Sequence, residues 1–179
     1  WTFDLLQRNM KDHYQKCEDI GWNEANKKKE LEHEDCRYIL AYRIDEAKKT
    51  GEGKENQEPL KVVESEGSQK ESKLPVGYVM WRFLMDDNGM GEMLPVLYLW
   101  EIHIEAEYRR KGLGKFLMTI SELAAWKLSM KKIILTAFTS NPASIKFFTK
   151  KLKFQYDETD PKICDPEDPC GYRILSKCR

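Results

Sequence analysis

Three consecutive basic side chains lead into two glycines in the run Arg109-Arg110-Lys111-Gly112-Leu113-Gly114-Lys115. An apolar, strand-like stretch, Leu97 to Ile104, precedes it, and Leu113, Phe116, Leu117, Ile120, Leu123 and Ala124 follow at helical spacing. A strand, a cationic glycine turn and a helix together suit a pyrophosphate group. Glycine lets backbone N–H groups approach phosphate oxygens closely. The positive end of the following helix then faces the anion. The run lacks the Gly-Lys-Ser/Thr ending of a nucleotide P-loop and the fuller Gly-x-Gly-x-x-Gly fingerprint. Taken alone, it suits a solvated basic turn equally well.

The second chemical candidate is Glu101, an acid in mid-strand between Trp100 and Ile102. Such an acid needs a polar reason to be there. Burial raises a carboxyl pKa and makes it a general base; the plainer alternative is neutralisation of Arg109 or Arg110. Tyr98, Trp100 and Tyr172 read, on their own, as half-buried sheet residues. His103 is a lone strand imidazole, expected to be structural rather than a base. Asp86 suits an Asx turn. His13 and His33 form no ligand cluster, and no cysteine pair has Cys-x-x-Cys spacing, so no metal is expected.

The elements that must position these groups follow from periodicity. Phe3, Leu6, Met10, Tyr14 and Cys17 repeat as a helix. Gly21 breaks it, and Asn23 caps a second helix through Leu31, with Lys27-Lys28-Lys29 as its wet face. Cys36 to Ile44 alternates as a strand, with Cys36, Tyr38, Leu40, Tyr42 and Ile44 on one side. Residues 47–74 are rich in Lys, Glu, Gly, Ser and Gln and have no aromatic residue. Such a segment buries too little to offset its ordering entropy, so it is expected to be a disordered insertion. Strands over 76–84 and 96–104 flank a turn at Asp86-Asp87-Asn88-Gly89. A helix over 113–128 and a strand over 132–138 come next. Asn141-Pro142 opens a helix to about Leu152, and late strands at 154–156 and 172–175 bracket an acidic loop. The order α-α-β-β-β-α-β-α-β-β predicts a mixed α/β single domain over 1–179.

Composition sets the outer limits. The chain has 179 residues, 41% hydrophobic and 34% charged, with a formal net charge of zero. No global field favours nucleic acid or a membrane surface. Residues 157–168 carry six acids against Lys162 alone and are expected to form a solvated loop. Five cysteines at irregular spacing fit a reducing compartment.

These motifs resemble the GNAT superfamily of N-acetyltransferases. Arg109, Gly112 and Gly114 satisfy its Gln/Arg-x-x-Gly-x-Gly/Ala signature between a strand and a helix, and Asn141 opens a helix after the next strand. A closer likeness lies in Tyr98-x-Trp100-Glu101, the run Arg109 to Leu117, Lys131-Lys132-x-x-Leu135-Thr136-x-Phe138 and Cys170-x-Tyr172-x-Ile174-Leu175-Ser176. Together with Gly21-Trp22, these resemble the N-alpha-acetyltransferase D family, which acetylates the N-terminal serine of histone H4 and of the A-type H2 histone.

The resemblance implies a mostly antiparallel sheet, splayed at the cofactor site and flanked by helices. Acetyl-CoA would be the cosubstrate. Backbone groups of His103, Ile104 and Glu105 would meet the pantetheine arm. Arg109, Arg110, Lys111, Gly112, Leu113, Gly114, Lys115 and Phe116 would hold the pyrophosphate, and Asn141 would touch the cofactor. Tyr14, Trp22, Tyr98, Trp100, Thr136 and Tyr172 would line the peptide pocket. Glu101 matches a catalytic carboxylate; Asp86, taken over Asp87, is the second acid. Trp100 replaces a tyrosine of the family, and Ile20 stands where a tryptophan is expected. The implied partners are the two histone tails, without nucleic acid or membrane, for a monomer of the nucleus and cytoplasm. A lysine or small-amine acetyltransferase and a non-catalytic acyl-CoA or chromatin module are the alternatives.

Overall fold

The computed structural model describes residues 1–44, 73–87 and 89–179. Helix α1 (Thr2–Gln15) buries Leu5, Leu6 and Tyr14, and α2 (Glu24–Leu31) starts where the Asn23 side chain accepts from Asn26 N. Strands β1 (Arg37–Ile44), β2 (Lys73–Asp87) and β3 (Met93–Ile104) follow. Helix α3 (Leu113–Lys127) leads to β4 (Lys132–Phe138), then to α4 (Pro142–Lys146), which continues as a π-helical turn over Phe147–Lys151. Short β5 (Gln155–Tyr156), a single turn α5 (Pro161–Cys164) and β6 (Tyr172–Cys178) complete the chain.

The sheet order is β1-β2-β3-β4-β6-β5, and β3–β4 is the parallel pair among antiparallel neighbours. The expected mixed α/β class and mostly antiparallel sheet are what the chain adopts. Two apolar layers sandwich the sheet. On one face, Leu113, Leu117, Met118 and Ala125 of α3 meet Val79, Trp81, Leu97, Leu99, Ile133 and Leu135. On the other, Leu5, Leu6 and Tyr14 of α1 and Leu31 of α2 meet Tyr78, Met80 and Phe138.

Several elements differ from the periodic reading. Strand β2 begins at Lys73 and runs to Asp87, so Lys73 and Leu74 belong to the sheet and not to an insertion. The rest of the expected insertion, 47–72, lies outside the described residues, as does Asn88. Asp86 is a strand residue paired with Leu94. Asp87 makes the turn contacts instead, its Oδ1 accepting from Gly89 N at 2.7 Å and Gly91 N at 3.0 Å. Leu40 and Tyr42 of β1 are exposed, and the register shift beside them leaves Val76 of β2 as the extra residue.

The acidic loop is no solvated patch throughout. Asp157 and Asp160 are buried. Lys132 Nζ, itself buried, donates to Asp157 at 2.8 Å and to Glu158 at 3.1 Å. Asp160 accepts from Arg173 Nε and from Ile174 N at 2.7 Å. Burial alone would raise the Asp157 pKa. Hydrogen bonds from Lys132, Ser176 and Thr159 outweigh it and hold the group at about 2.

Candidate active site

Two departures from regular sheet geometry create the site. The first is the parting of β3 and β4. Their register runs from Val96↔Lys132 to Leu99↔Leu135 and stops. Beyond that point β3 pairs with β2 alone and β4 with β6 alone. The edges of Trp100–Ile104 and Thr136–Phe138 therefore open into a wedge whose backbone groups have no neighbouring strand to pair with. The second is a β-bulge. Met80 lies opposite Glu101, yet Trp81 lies opposite Leu99, so Trp100 is an extra residue on β3.

The bulge decides where Glu101 points. Side chains alternate along a strand. Leu97 and Leu99 face α3, and uninterrupted alternation would aim Glu101 there too. With one residue inserted, Ile102 and Ile104 take up the α3 side. Glu101 and His103 join Tyr98 and Trp100 on the α1 side. Glu101 is 6% exposed. Its Oε2 accepts from His103 Nε2 at 2.8 Å, and its Oε1 accepts from the Tyr14 hydroxyl at 3.4 Å. Burial, reinforced by the neighbouring Glu101 charge, pushes the Tyr14 pKa far up, so Tyr14 remains a donor.

A cavity of about 180 Å³ opens onto this carboxylate. Of the residues expected to line a peptide pocket, Tyr14, Tyr98, Trp100, Glu101 and Thr136 do so. Tyr98 and Thr136 hydroxyls lie 2.7 Å apart across the β3–β4 junction, and the Tyr98 and Trp100 ring centroids lie 4.8 Å apart with the rings tilted at 51°. Trp22, Tyr172 and Asp86 do not reach the cavity wall. Trp22 backs Tyr14, ring to ring at 5.6 Å, and Tyr172 packs against the α1-side layer. Asp86 sits toward the far end of β2. Burial raises its pKa; of the charges there, Lys132 lowers it, and Asp157 and Asp87 raise it.

Lys27 and Glu30 form part of the wall and were not expected there. Lys27 is buried, correcting the wet-face reading of α2. Its Nζ lies 2.6 Å from Glu30 Oε2 and 4.3 Å above the Tyr14 ring. Trp100 Nε1 donates to the same Glu30 carboxylate at 3.4 Å. Lys27 stands four residues before buried Leu31, a spacing that shares one helix face. That spacing was the available signal. Met10, Ile20 and Phe138 also line the cavity.

The cationic bend adopts the shape its glycines allow. Arg110 has φ 62° and Gly112 has φ 89°, the left-handed region that favours glycine. Nothing approaches within 4 Å of a Cβ built at Gly112, so space stands over the helix start. A Cβ at Gly114 would lie 3.3 Å from both Ile104 Cδ1 and Phe147 Cζ, so that glycine lets α3 sit close to β3 and the π-helical turn. The first N–H groups of α3, at Leu113, Gly114 and Lys115, have no intrahelical acceptor. Arg110, Lys111 and Lys115 are exposed around them, while Leu113 is buried.

Other expected cofactor contacts are occupied within the fold. Arg109 turns toward α1, donating from Nε to Ile104 O at 3.0 Å and from Nη2 to Asn9 Oδ1 at 2.7 Å. Both Glu105 backbone groups are paired, N–H to Val76 O and C=O from Tyr108 N. Its carboxylate takes Arg8 and Trp1 Nε1. These pairings leave Glu105 the second lone pair of its carbonyl for a pantetheine arm. Asn141 caps α4, its Oδ1 accepting from Ser144 N. Phe116 lies half-buried one turn into α3, against the core.

The mixed α/β domain thus carries a sheet that splays at its parallel pair, beside a glycine bend that opens a helix. The sequence model of the acetyltransferase (GNAT) family matches residues 8–154, and the chain belongs to that family. Among solved structures, Arabidopsis thaliana NAA60 in complex with a bisubstrate analogue aligns over 98% of this chain and 92% of its own, with TM-score 0.55 and 11% identity. Arabidopsis thaliana Naa50 in complex with the bisubstrate analogue CoA-Ac-MVNAL aligns over 59% of this chain and 67% of its own, with TM-score 0.46 and 25% identity. For the PaiA N-acetyltransferase of Thermoplasma acidophilum in complex with coenzyme A, the shares are 59% and 55%, with TM-score 0.45 and 19% identity. This chain thus spans little more than half of that last protein. The NAA60 likeness is one of fold.

Proposed function

We propose that this chain transfers acetyl from acetyl-CoA to the N-terminal α-amine of proteins, and that its acceptors are the tails of histone H4 and the A-type H2 histone. Family membership supports the acyl transfer. The likeness to the N-alpha-acetyltransferase D family supports the acceptor, and with it work in the nucleus and cytoplasm. The observation that carries the reading is Glu101: a buried carboxylate turned by the bulge into a narrow aromatic cavity, where β3 and β4 part.

The residues present fit the cosubstrate. The free N–H groups at the start of α3, the open space above Gly112 and the exposed Arg110, Lys111 and Lys115 suit a diphosphate. Acetyl-CoA supplies the acetyl thioester. An α-amine has an ordinary pKa of roughly 7.7–8.0, so near neutral pH a sizeable minority is already uncharged. Glu101 then accepts the proton that leaves the nitrogen during attack. Tyr14, kept protonated, steadies that carboxylate. Glu30 adds a second acid to the wall, suited to the arginine of a Ser-Gly-Arg-Gly start. Trp100 offers Glu30 an indole N–H where the family's tyrosine would offer a hydroxyl.

The test is acetylation of peptides beginning Ser-Gly-Arg-Gly-Lys with free or blocked α-amines. Labelling that disappears on blocking supports the proposal. Labelling that survives blocking assigns lysine as acceptor. Saturable acetyl-CoA binding without turnover leaves a non-catalytic module.

A further inference from the structure

We propose that His103 is a positioning residue for Glu101, held as its Nε2–H tautomer by a polar chain that starts at Arg109 in the cationic bend. The inference rests on Glu101 serving as the proton acceptor.

The chain has one self-consistent set of donors. Arg109 carries only N–H donors. Its Nη2 lies 2.7 Å from Asn9 Oδ1, which makes that atom the acceptor and fixes the amide orientation. Asn9 Nδ2 is therefore a donor, and it faces His103 Nδ1 at 3.5 Å. The carboxylate oxygen 2.8 Å from Nε2 calls for the imidazole proton on Nε2, and the Asn9 donor beside Nδ1 agrees with that placement. From there it is donated to Glu101 Oε2 at 2.8 Å. Arg109 is itself anchored by Nε to Ile104 O at 3.0 Å. His103 is 5% exposed and its ring lies edge-on to Tyr78 at 5.4 Å.

This arrangement answers a problem that the bulge creates. An inserted residue loosens the ladder at the very point where Glu101 must be aimed. The Tyr14 contact, at 3.4 Å, is too long to hold the carboxylate alone. The His103 bond is shorter, and the acceptor carboxylate keeps the Nε2 proton on the side that faces it. The Nε2–H donor holds one carboxylate oxygen and leaves the group aimed at the cavity. The same Arg109 closes the start of the cationic bend. Positioning of the acid and shaping of the diphosphate site thus share one side chain.

Two measurements test this. Long-range ¹⁵N–¹H correlation of the free protein, labelled at histidine, is expected to show His103 protonated at Nε2 and unprotonated at Nδ1, with Asn9→Asp altering that pattern. A proton on Nδ1 in the unmutated protein overturns the inference. In kinetics with the Ser-Gly-Arg-Gly-Lys peptide, His103→Leu is expected to lower kcat by about 10²-fold, the cost of a misplaced reacting group. KM for peptide and Kd for acetyl-CoA stay near their original values. His103→Gln, which restores a donor to Glu101, recovers most of the loss. An unchanged kcat in folded His103→Leu, or no recovery with glutamine, overturns it. Should His103→Leu fail to fold, Asn9→Asp carries the kinetic test, with reduced kcat at unchanged acetyl-CoA affinity expected. A protein inactive from the outset overturns the acetyltransferase reading, while the tautomer spectrum still decides the Arg109–Asn9–His103 chain.

Discussion

Glu101 and Asp157 are both buried carboxylates beside strands of one sheet, and the protein treats them in opposite ways. Asp157 meets the buried ammonium of Lys132 at 2.8 Å and further donors from Thr159. Its pKa falls to about 2, and no proton chemistry is left to it near neutral pH. Glu101 meets an imidazole and a phenol, and no Lys or Arg stands within salt-bridge distance of it among the described residues. It also opens into a cavity, whereas Asp157 is enclosed. Removing one partner of a buried ion pair leaves the other charge uncompensated, so such a carboxylate is tied to stability. One held by weaker, orienting donors can still exchange a proton with a ligand.

Four substitutions or conditions would break or sharpen this contrast. The largest effect is expected from Glu101→Gln. Turnover should fall by about 10²–10⁴-fold, the range for a lost general base, with acetyl-CoA affinity little changed by calorimetry. Equal loss of cofactor binding would mean that the two acids differ less than their surroundings suggest. Asp157→Asn should do the reverse. Lys132 would keep only the half-exposed Glu158, and stability by urea titration should drop by about 3 kcal/mol. Turnover of the folded protein should persist.

Acidification probes the same difference. The folded pKa of Asp157 lies below its ordinary 3.8, so its contribution is complete above that value and lost as pH falls from about 4 toward 2. Urea midpoints at descending pH should show a loss of about 2 kcal/mol from this group, and Asp157→Asn should abolish that component. The smallest effect belongs to Tyr14→Phe. Removing one long hydroxyl contact to Glu101 should lower turnover by roughly 2- to 10-fold, the scale of a single hydrogen bond. A far larger loss would make Tyr14, and not His103, the main support of Glu101.

Much of the fold is legible in the order of residues because helices and strands announce themselves locally. The Asn23 cap, the Pro142 start and the apolar run of β4 fall where periodicity puts them. The glycine bend is legible for the same reason: backbone freedom at Gly112 is a property of that residue. Asp86 reads as a turn residue from its neighbours, yet strand β2 continues through it and leaves the turn contacts to Asp87. Lys27 was misjudged because charge suggests water, whereas Tyr14 and Glu30 supply a ring face and a carboxylate that let its ammonium be buried. The acids of the 157–168 loop were misjudged alike, since their partners Lys132 and Arg173 come from other strands.

What the amino-acid order determined by itself is the main helices and strands and the glycine bend, since both follow from neighbours a few residues apart. What only the tertiary structure decided is the direction of Glu101 and the company it keeps. Alternation within β3 would send that side chain to the α3 core. The extra residue at Trp100 exists only as a mismatch between β3 and its partner β2. The Arg109–Asn9–His103 chain likewise draws on α1 and β3, remote in sequence and adjacent only once the sheet has formed. Pairing register is a relation between strands, so no single strand's sequence contains it.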